Sequence, residues 1–420
     1  MSALPLKLPT IQNWSCHNCS GCCREHLIEI TDEERQRILD QKWTAKDGNA
    51  NDQPVVVAHA GPPWKRRYRL AHRDDGACVF LNDDGLCRIH AKFGEAAKPL
   101  ACRVYPYAFH PSGKRITVSL RFSCPSVVAN KGQSVAGNRD ELKQIARLVV
   151  PAGTEEIAPP RITRRETLDW SDTLRIVEAM DHFIAKDDRP FVERLMQSLF
   201  LVGLIERSQF KLIRGERLAE FLEIVSEAAA DEPVPHPEKP SGIGLMQFRL
   251  LVAHYARKDT VADLSAGLTG RWRLLRAATR FTSGSGIAIP LQDCFREVPF
   301  ESIEQSFGGL PDGADEILTR YLRVKLQGLH FCGPACYDLP LVEGFHTLAL
   351  IIPAICWIAR WLAAGDGRHE LSVDDISRAL SIADHHHGYS AVFGSRGFRR
   401  RVRMLKATAD LQRLVLWYAQ

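Results

Sequence analysis

Four cysteines fall within eight residues at Cys16-His-Asn-Cys19-Ser-Gly-Cys22-Cys23. Four more, Cys78, Cys87, Cys102 and Cys124, follow before residue 125, so eight of the chain's twelve cysteines lie in its first third. Packing alone does not explain thiols at this density. A C-x2-C turn directs two sulfurs at one ion or cluster, and C-x2-C-x2-C brings three from a single loop, leaving a remote cysteine to complete four. That arrangement suits an iron–sulfur cluster, and tetrahedral zinc accepts the same ligands. The three-plus-remote pattern, without a second C-x2-C pair of zinc-ribbon type, favours iron–sulfur, of the [4Fe-4S] kind, with zinc as the alternative. The eight candidate metal ligands are therefore Cys16, Cys19, Cys22, Cys23, Cys78, Cys87, Cys102 and Cys124. Adjacent Cys22 and Cys23 point in different directions in most backbone conformations and are expected to serve different centres or roles.

The redox setting follows from what the N-terminus lacks. Met-Ser-Ala-Leu-Pro-Leu-Lys-Leu-Pro has no apolar core of signal length, so a cytoplasmic, reducing location is expected, where clustered cysteines are metal ligands or redox groups rather than disulfides. The charged fraction of 25% and hydrophobic fraction of 45% are those of a globular chain, and a net charge of +5 permits an acidic partner without demanding one. Leu348 to Ile358 is the most apolar stretch. It is short of the ~20 residues of a spanning helix and reads as a buried helix, so no membrane span is expected.

The chain reads as α+β: a small cysteine-rich N-terminal domain with short strands, followed by a mostly α-helical C-terminal region. Residues 1–130 form the first domain, 131–165 a linker with one helix at 140–149, and 166–420 the helical domain, with a Pro-rich linker at 231–242. Thr31 with Glu34 has the form of a capping box opening a helix to about Gln41. Residues 44–54 read as a polar loop. Val55–Ala58, Tyr68–Ala71 and Arg115–Phe122 read as strands, and Asn82–Gly85 as the turn of a hairpin bearing Cys78 and Cys87 on its arms. Apolar residues recur at helical spacing from Leu174 onward, predicting helices near 191–210, 217–229, 243–258, 270–281, 314–328, 340–363, 373–385 and 398–418.

At this point the motifs carry a resemblance. Cys16-x2-Cys19-x2-Cys22-Cys23, Cys78-x-Phe80-Leu81 with Gly85-x-Cys87-x2-His90, Pro99-x2-Cys102-Arg103-x-Tyr105-Pro106 and Cys124-Pro125 together resemble the cysteine-cluster family of zinc- or iron-chelating domains. The longer members are flagellin lysine-N-methylases, which join such a cluster to a helical part. Ile317-Leu-Thr-Arg-Tyr-Leu322 is also similar to their C-terminal region. The resemblance implies methyl transfer from S-adenosylmethionine to lysine side chains of a protein substrate, flagellin or a similar subunit. The other reading is a non-catalytic zinc- or iron-chelating protein with a helical docking domain. No strand followed by a glycine-rich loop marks a Rossmann-type donor site, and no residue takes a catalytic role.

Other constellations read more plainly. Cys332-Gly-Pro-Ala-Cys336 is a turn, a redox pair or an accessory ligand set. Asp384-His385-His386-His387 reads as a helix end with exposed histidines. Arg103 is placed to meet a thiolate or an anion, or to form a surface salt bridge. Lys65–Arg67 and Arg399–Arg401 are basic runs that read as solvated faces, and no nucleic-acid module accompanies them.

Overall fold

The most apolar run of the sequence folds into a 25-residue helix, Leu341–Gly365, in which every residue from Leu341 to Ala363 is buried. By length and composition it passes as a membrane span. Here helices Val373–His386, Asp410–Tyr418, Phe191–Arg207 and Gly242–Ala256 cover its sides, and all-round hydrophobicity marks a core helix. Two polar clamps, Arg360 and Glu304, fix its C-terminal half. Arg360 donates to the carbonyls of Gln305 (2.9 Å) and Gln420 (2.7 Å). Glu304 accepts from the Trp357 indole N–H (3.3 Å) on the helix, and also from Arg249 (2.8 Å) and the Tyr418 hydroxyl (2.7 Å).

The computed structural model describes residues 4–44, 54–151, 153–154, 157–258 and 267–420. The polar loop expected at 44–54 lies, apart from its two ends, outside them. The architecture is α+β, with short strands in the N-terminal part and helices dominating the rest. The helix expected at 140–149 is Arg139–Val149, and the periodicity from Leu174 becomes Trp170–Ala185, capped by Asp169 through the Asp172 N–H (2.8 Å). The helix expected at 398–418 is instead two helices, Arg396–Ala407 and Asp410–Tyr418, broken at Ala409 (φ 56°). Asp410 explains the break. Its carboxylate accepts the N–H and hydroxyl of Ser241 (2.8 and 2.7 Å) and the hydroxyl of Thr408 (2.8 Å), which a continuous helix would not leave within reach.

Two small sheets carry the cysteine-rich part. In the first, β1 (Leu6–Lys7) pairs parallel with β6 (Ile116–Leu120), and β5 (Tyr107–Pro111) pairs antiparallel with β6. In the second, β2 (Glu29–Ile30) and β3 (Val56–Ala60) flank β4 (Arg67–Leu70), all antiparallel. The apolar core divides unevenly between them. Ile30, Ile38, Leu70, Cys78, Phe80 and Ile89 form a small cluster of their own. The larger cluster takes in Leu6, Val118, Phe122 and Val127 together with the helices.

Strand β6 is pressed onto helix Ala314–Gln327. Thr117 donates to the Gly328 carbonyl (3.2 Å), and a Cβ on Gly328 would stand 2.4 Å from Ser119 Cβ. The same helix reaches past the strand. Arg320 donates to Val127 O (2.9 Å) and to Gln12 Oε1 (3.0 Å), tying the two chain segments that flank the cysteines. Arg320 and Tyr321 belong to the short motif 317–322 that the sequence singled out.

Candidate metal centre

Each element carrying a cysteine is held by a specific contact. Residues 12–15 run against 127–134: Asn13 N–H donates to Asn130 Oδ1 (2.7 Å), Trp14 N–H to Gln133 O (2.8 Å) and Ser15 N–H to Lys131 O (3.0 Å). This sets the cysteine loop beside the turn that follows Cys124. Within the loop Asn18 and Ser20 take positive φ (53° and 55°), and a single helical turn, Gly21–Glu25, presents Cys22 and Cys23. The Cys23 carbonyl then accepts the Cys78 N–H (2.8 Å).

The Asn82–Leu86 turn docks on the loop as well. Gly85 (φ 79°) approaches so closely that a Cβ there would lie 2.6 Å from the Asn18 carbonyl oxygen. Its arms differ from the expected hairpin: Cys78 bridges to His72, and Cys87 to Leu81. Cys87 caps helix Arg88–Phe93, so the two thiols sit on separate turns rather than opposite one another. Cys102 rides on helix Leu100–Val104. Glu34 positions that helix. One carboxylate oxygen completes the Thr31 capping box (3.0 Å) and the other accepts the Leu100 N–H (2.6 Å).

The thiols resolve into two neighbourhoods. Cys102 senses the charge of Cys78, Cys87 and Cys22, and Cys78 senses Cys87 and Cys22. Burial, then these neighbours, pushes Cys78 up to about 12 and Cys102 higher still. Cys22 is raised first by its hydrogen bond with the Cys23 thiol, then by burial. In the second neighbourhood Cys124 senses Cys19, which stands across Gly21 from Pro125. Burial raises Cys124, opposed by the backbone N–H groups of Val127 and Ser126. The Trp14 indole N–H also leans toward this sulfur, without closing an ordinary hydrogen bond.

Among the described residues the thiols are neighbours rather than a closed ligand set: no three Cys, His, Asp or Glu side chains stand at the spacing of a formed metal site. The donor chemistry nevertheless fits a thiophilic metal. Soft sulfurs arrive from four elements, and their mutual repulsion as thiolates is what a bound cation relieves. Cys16 and Cys19 are exposed, Cys22, Cys23, Cys87 and Cys102 are half-buried, and Cys78 and Cys124 are buried.

Between the two neighbourhoods lies Tyr105, raised first by burial and then by Cys124, with Cys22 adding to it. Its hydroxyl is 3.2 Å from Ser123 Oγ. His26 packs on its ring (4.8 Å) and stacks on His385 (4.7 Å). Burial, then Arg121, lowers His26 to about 3, and its Nε2 is buried without a hydrogen-bond partner, as is that of His72. His90, the last residue of the second cysteine motif, is exposed. Arg103 forms no surface salt bridge among the described residues; its Nε is buried and unpartnered.

The histidine run is corrected by the structure. Asp384 and His387 are buried and His385 and His386 half-buried, because this helix end abuts the cysteine-rich part rather than solvent. Asp384 Oδ2 accepts the N–H groups of Phe122 (2.5 Å) and Ser123 (3.2 Å), the two residues before Cys124. Its Oδ1 meets Lys325 Nζ (2.7 Å) and the Tyr321 hydroxyl (3.2 Å), and Lys325 also donates to Leu120 O (3.2 Å). Cys332 and Cys336 are buried apart from this centre, in the loop after Gly328, and burial pushes Cys336 up to about 12.

Residues 15–125 match the model of the CxxCxxCC family, described as "Putative zinc- or iron-chelating domain". The matched CxxCxxCC segment holds all eight candidate ligands. Over 118 residues the chain is 27% identical to "Lysine-N-methylase" of Salmonella choleraesuis, covering 27% of this chain and 29% of that one. The "Lysine-N-methylase" of Salmonella typhimurium is 26% identical over the same shares. "Flagellar biosynthetic protein FliU" of Salmonella muenchen is 25% identical over 122 residues, 28% of this chain and 71% of that one. The matches to the two methylases thus span less than a third of their length. No solved structure matches the chain.

Proposed function

We propose that this chain is a protein-lysine methyltransferase built around an iron–sulfur centre, transferring methyl groups from S-adenosylmethionine to lysine side chains of flagellin or a similar filament subunit. The observation that carries the reading is the gathering of Cys22, Cys78, Cys87 and Cys102 from four separate elements, inside residues 15–125 that match the chelating-domain model, in a chain partly similar to relatives named lysine-N-methylase. These four would hold one centre, with Cys124 and Cys19 beside it and Cys16 and Cys23 available to complete or extend it. The assignment of all eight as ligands is part of the proposal, as is the division into a metal domain at 1–130 and a helical domain at 166–420 joined by 131–165. A reducing cytoplasm suits such a thiol set.

A bound cluster supplies a redox-active or anion-binding centre. The reaction itself is a displacement: the lysine nitrogen bonds to the sulfonium methyl as the carbon–sulfur bond breaks, and S-adenosylhomocysteine leaves. The amine must arrive neutral, having given its proton to solvent or a base, and in line with the methyl.

The test is anaerobically purified protein incubated with S-adenosylmethionine carrying a labelled methyl group and purified flagellin. Labelled methyl-lysine in flagellin peptides is the expected result. Unmodified flagellin, with intact metal in the protein, would overturn the reading.

A further inference from the structure

A cavity of about 690 Å³ opens between residues 157–164 and the loop Gly333–Pro340, at the start of helix Leu341–Gly365. It lies outside the cysteine-rich part. Its two walls are built to stay in place. The carbonyls of Arg161 and Ile162 take the first two N–H groups of the helix, Leu341 (2.8 Å) and Val342 (3.1 Å). On the opposite wall Gly333 N–H donates to Leu339 O and Asp338 N–H to Gly333 O, both 2.8 Å. Tyr337 and Asp338 hold positive φ (55° and 52°), a conformation non-glycine residues keep only when the surroundings enforce it. The Tyr337 hydroxyl is anchored on Ser390 O (2.7 Å).

The lining combines apolar surface with charged groups whose hydrogen bonds are incomplete. Three arginines, Arg161, Arg164 and Arg399, and two carboxylates, Asp338 and Glu343, line it. Glu343 is only 8% exposed. Arg164 holds its Oε2 (3.3 Å); its Oε1 is buried without a hydrogen bond and pairs only by charge, with Arg403 Nε at 3.7 Å. Arg399 Nε is likewise buried and unpartnered, while another nitrogen of that guanidinium donates to Tyr337 O. Buried polar atoms are left open in this way at great cost unless a ligand or water meets them. The volume is that of a pocket for a nucleoside-sized molecule.

We propose that this cavity binds an anion-bearing nucleoside, with its carboxylate on the arginines and a hydroxyl or amine donated to Glu343 Oε1; resting on the methyltransferase reading above, it is the site of the S-adenosylmethionine class of donor. Apolar walls of Pro159, Pro160 and Pro334 would face the adenosine. The inner side of the same loop carries Cys336, which senses Lys325, the partner of Asp384 behind Cys124.

The test is calorimetric titration of the full-length, metal-loaded protein with S-adenosylhomocysteine, and separately with adenosine monophosphate. The proteins are wild type, Glu343→Gln, and an Arg161→Ala/Arg164→Ala variant altered only at exposed side chains. Stoichiometric binding of S-adenosylhomocysteine, weakened at least tenfold in both variants with metal content unchanged, is expected. Unaltered affinity in the arginine variant would overturn the cavity assignment while leaving methyl transfer standing. Binding of adenosine monophosphate alone would overturn the donor class. No binding of either by wild type, together with no labelled flagellin, would overturn both proposals.

Discussion

Lys325 Nζ stands 2.7 Å from Asp384 Oδ1 with neither side chain exposed, and the other oxygen of Asp384 holds the backbone leading into Cys124. The helical region thus fixes a cysteine of the N-terminal part through a buried ion pair. Removing one partner leaves the other charged and dry, at a cost of about 3–5 kcal/mol. Asp384→Ala is expected to lose that much in urea denaturation and to frame the Cys124 turn less firmly, lowering the metal bound per folded chain. Tyr321→Phe removes one hydrogen bond to the same carboxylate (3.2 Å) and is expected to cost about 1 kcal/mol.

Gly85 and Gly76 make a matched pair. Both have positive φ, 79° and 78°, but a Cβ on Gly85 meets the Asn18 carbonyl at 2.6 Å whereas one on Gly76 meets nothing within 4 Å. Alanine at either position strains the backbone by about 1 kcal/mol. Only Gly85→Ala pushes the Cys87 turn off the Cys16–Cys22 loop. Metal analysis of the two variants is expected to show a deficit in Gly85→Ala alone.

Glu34 joins a helix cap to the Cys102 helix. Glu34→Ala leaves the Thr31 and Leu100 N–H groups without their acceptor and is expected to cost about 1–2 kcal/mol. Hydrogen exchange should quicken at Leu100 and through residues 100–104 while helix Leu341–Gly365 stays protected.

His110 and His387 set a pH dependence. Burial, then the charge of Lys325, lowers each to about 3 from a usual 6.5. Because the folded value is the depressed one, the unfolded chain takes up the extra protons. This contribution to stability is complete above pH 6.5 and is lost as the pH falls toward 3. At pH 5 each histidine costs about 2 kcal/mol, at 1.36 kcal/mol per unit. Urea midpoints should fall from pH 7 to pH 5, and His387→Gln, which keeps a partner for the Tyr255 hydroxyl (3.0 Å), should flatten part of that fall.

Local signals in the sequence carried much of the fold. The capping box at Thr31 and Glu34, the helices from Trp170 onward and the buried helix around Leu348–Ile358 are written in short-range patterns, and the structure has them. The break at Ala409 escaped notice because apolar spacing continues across it and its cause, Asp410 on Ser241, lies 169 residues away. The burial of the histidine run is hidden for the same reason: only the tertiary fold brings Asp384 to Phe122 and His385 to His26. At the metal centre the cysteine spacing named the candidates. The neighbourhood of Cys22, Cys78, Cys87 and Cys102 depends on how the Asn82–Leu86 turn and the Leu100–Val104 helix dock, which spacing does not encode. His26, three residues after Cys23, has no spacing signal of its own; only the fold sets it against Tyr105 and His385.

The central claim is that these cysteines hold a metal centre, and the most direct measurement is metal and sulfide content with the visible spectrum, after anaerobic purification, of wild type and single Cys→Ser variants. Iron and sulfide with a visible band that bleaches on reduction are expected in wild type, lost in the variants of Cys22, Cys78, Cys87 and Cys102 and retained in those of Cys332, Cys336 and Cys356. A wild-type protein without bound metal, or one whose metal survives all four of the first substitutions, would contradict the account.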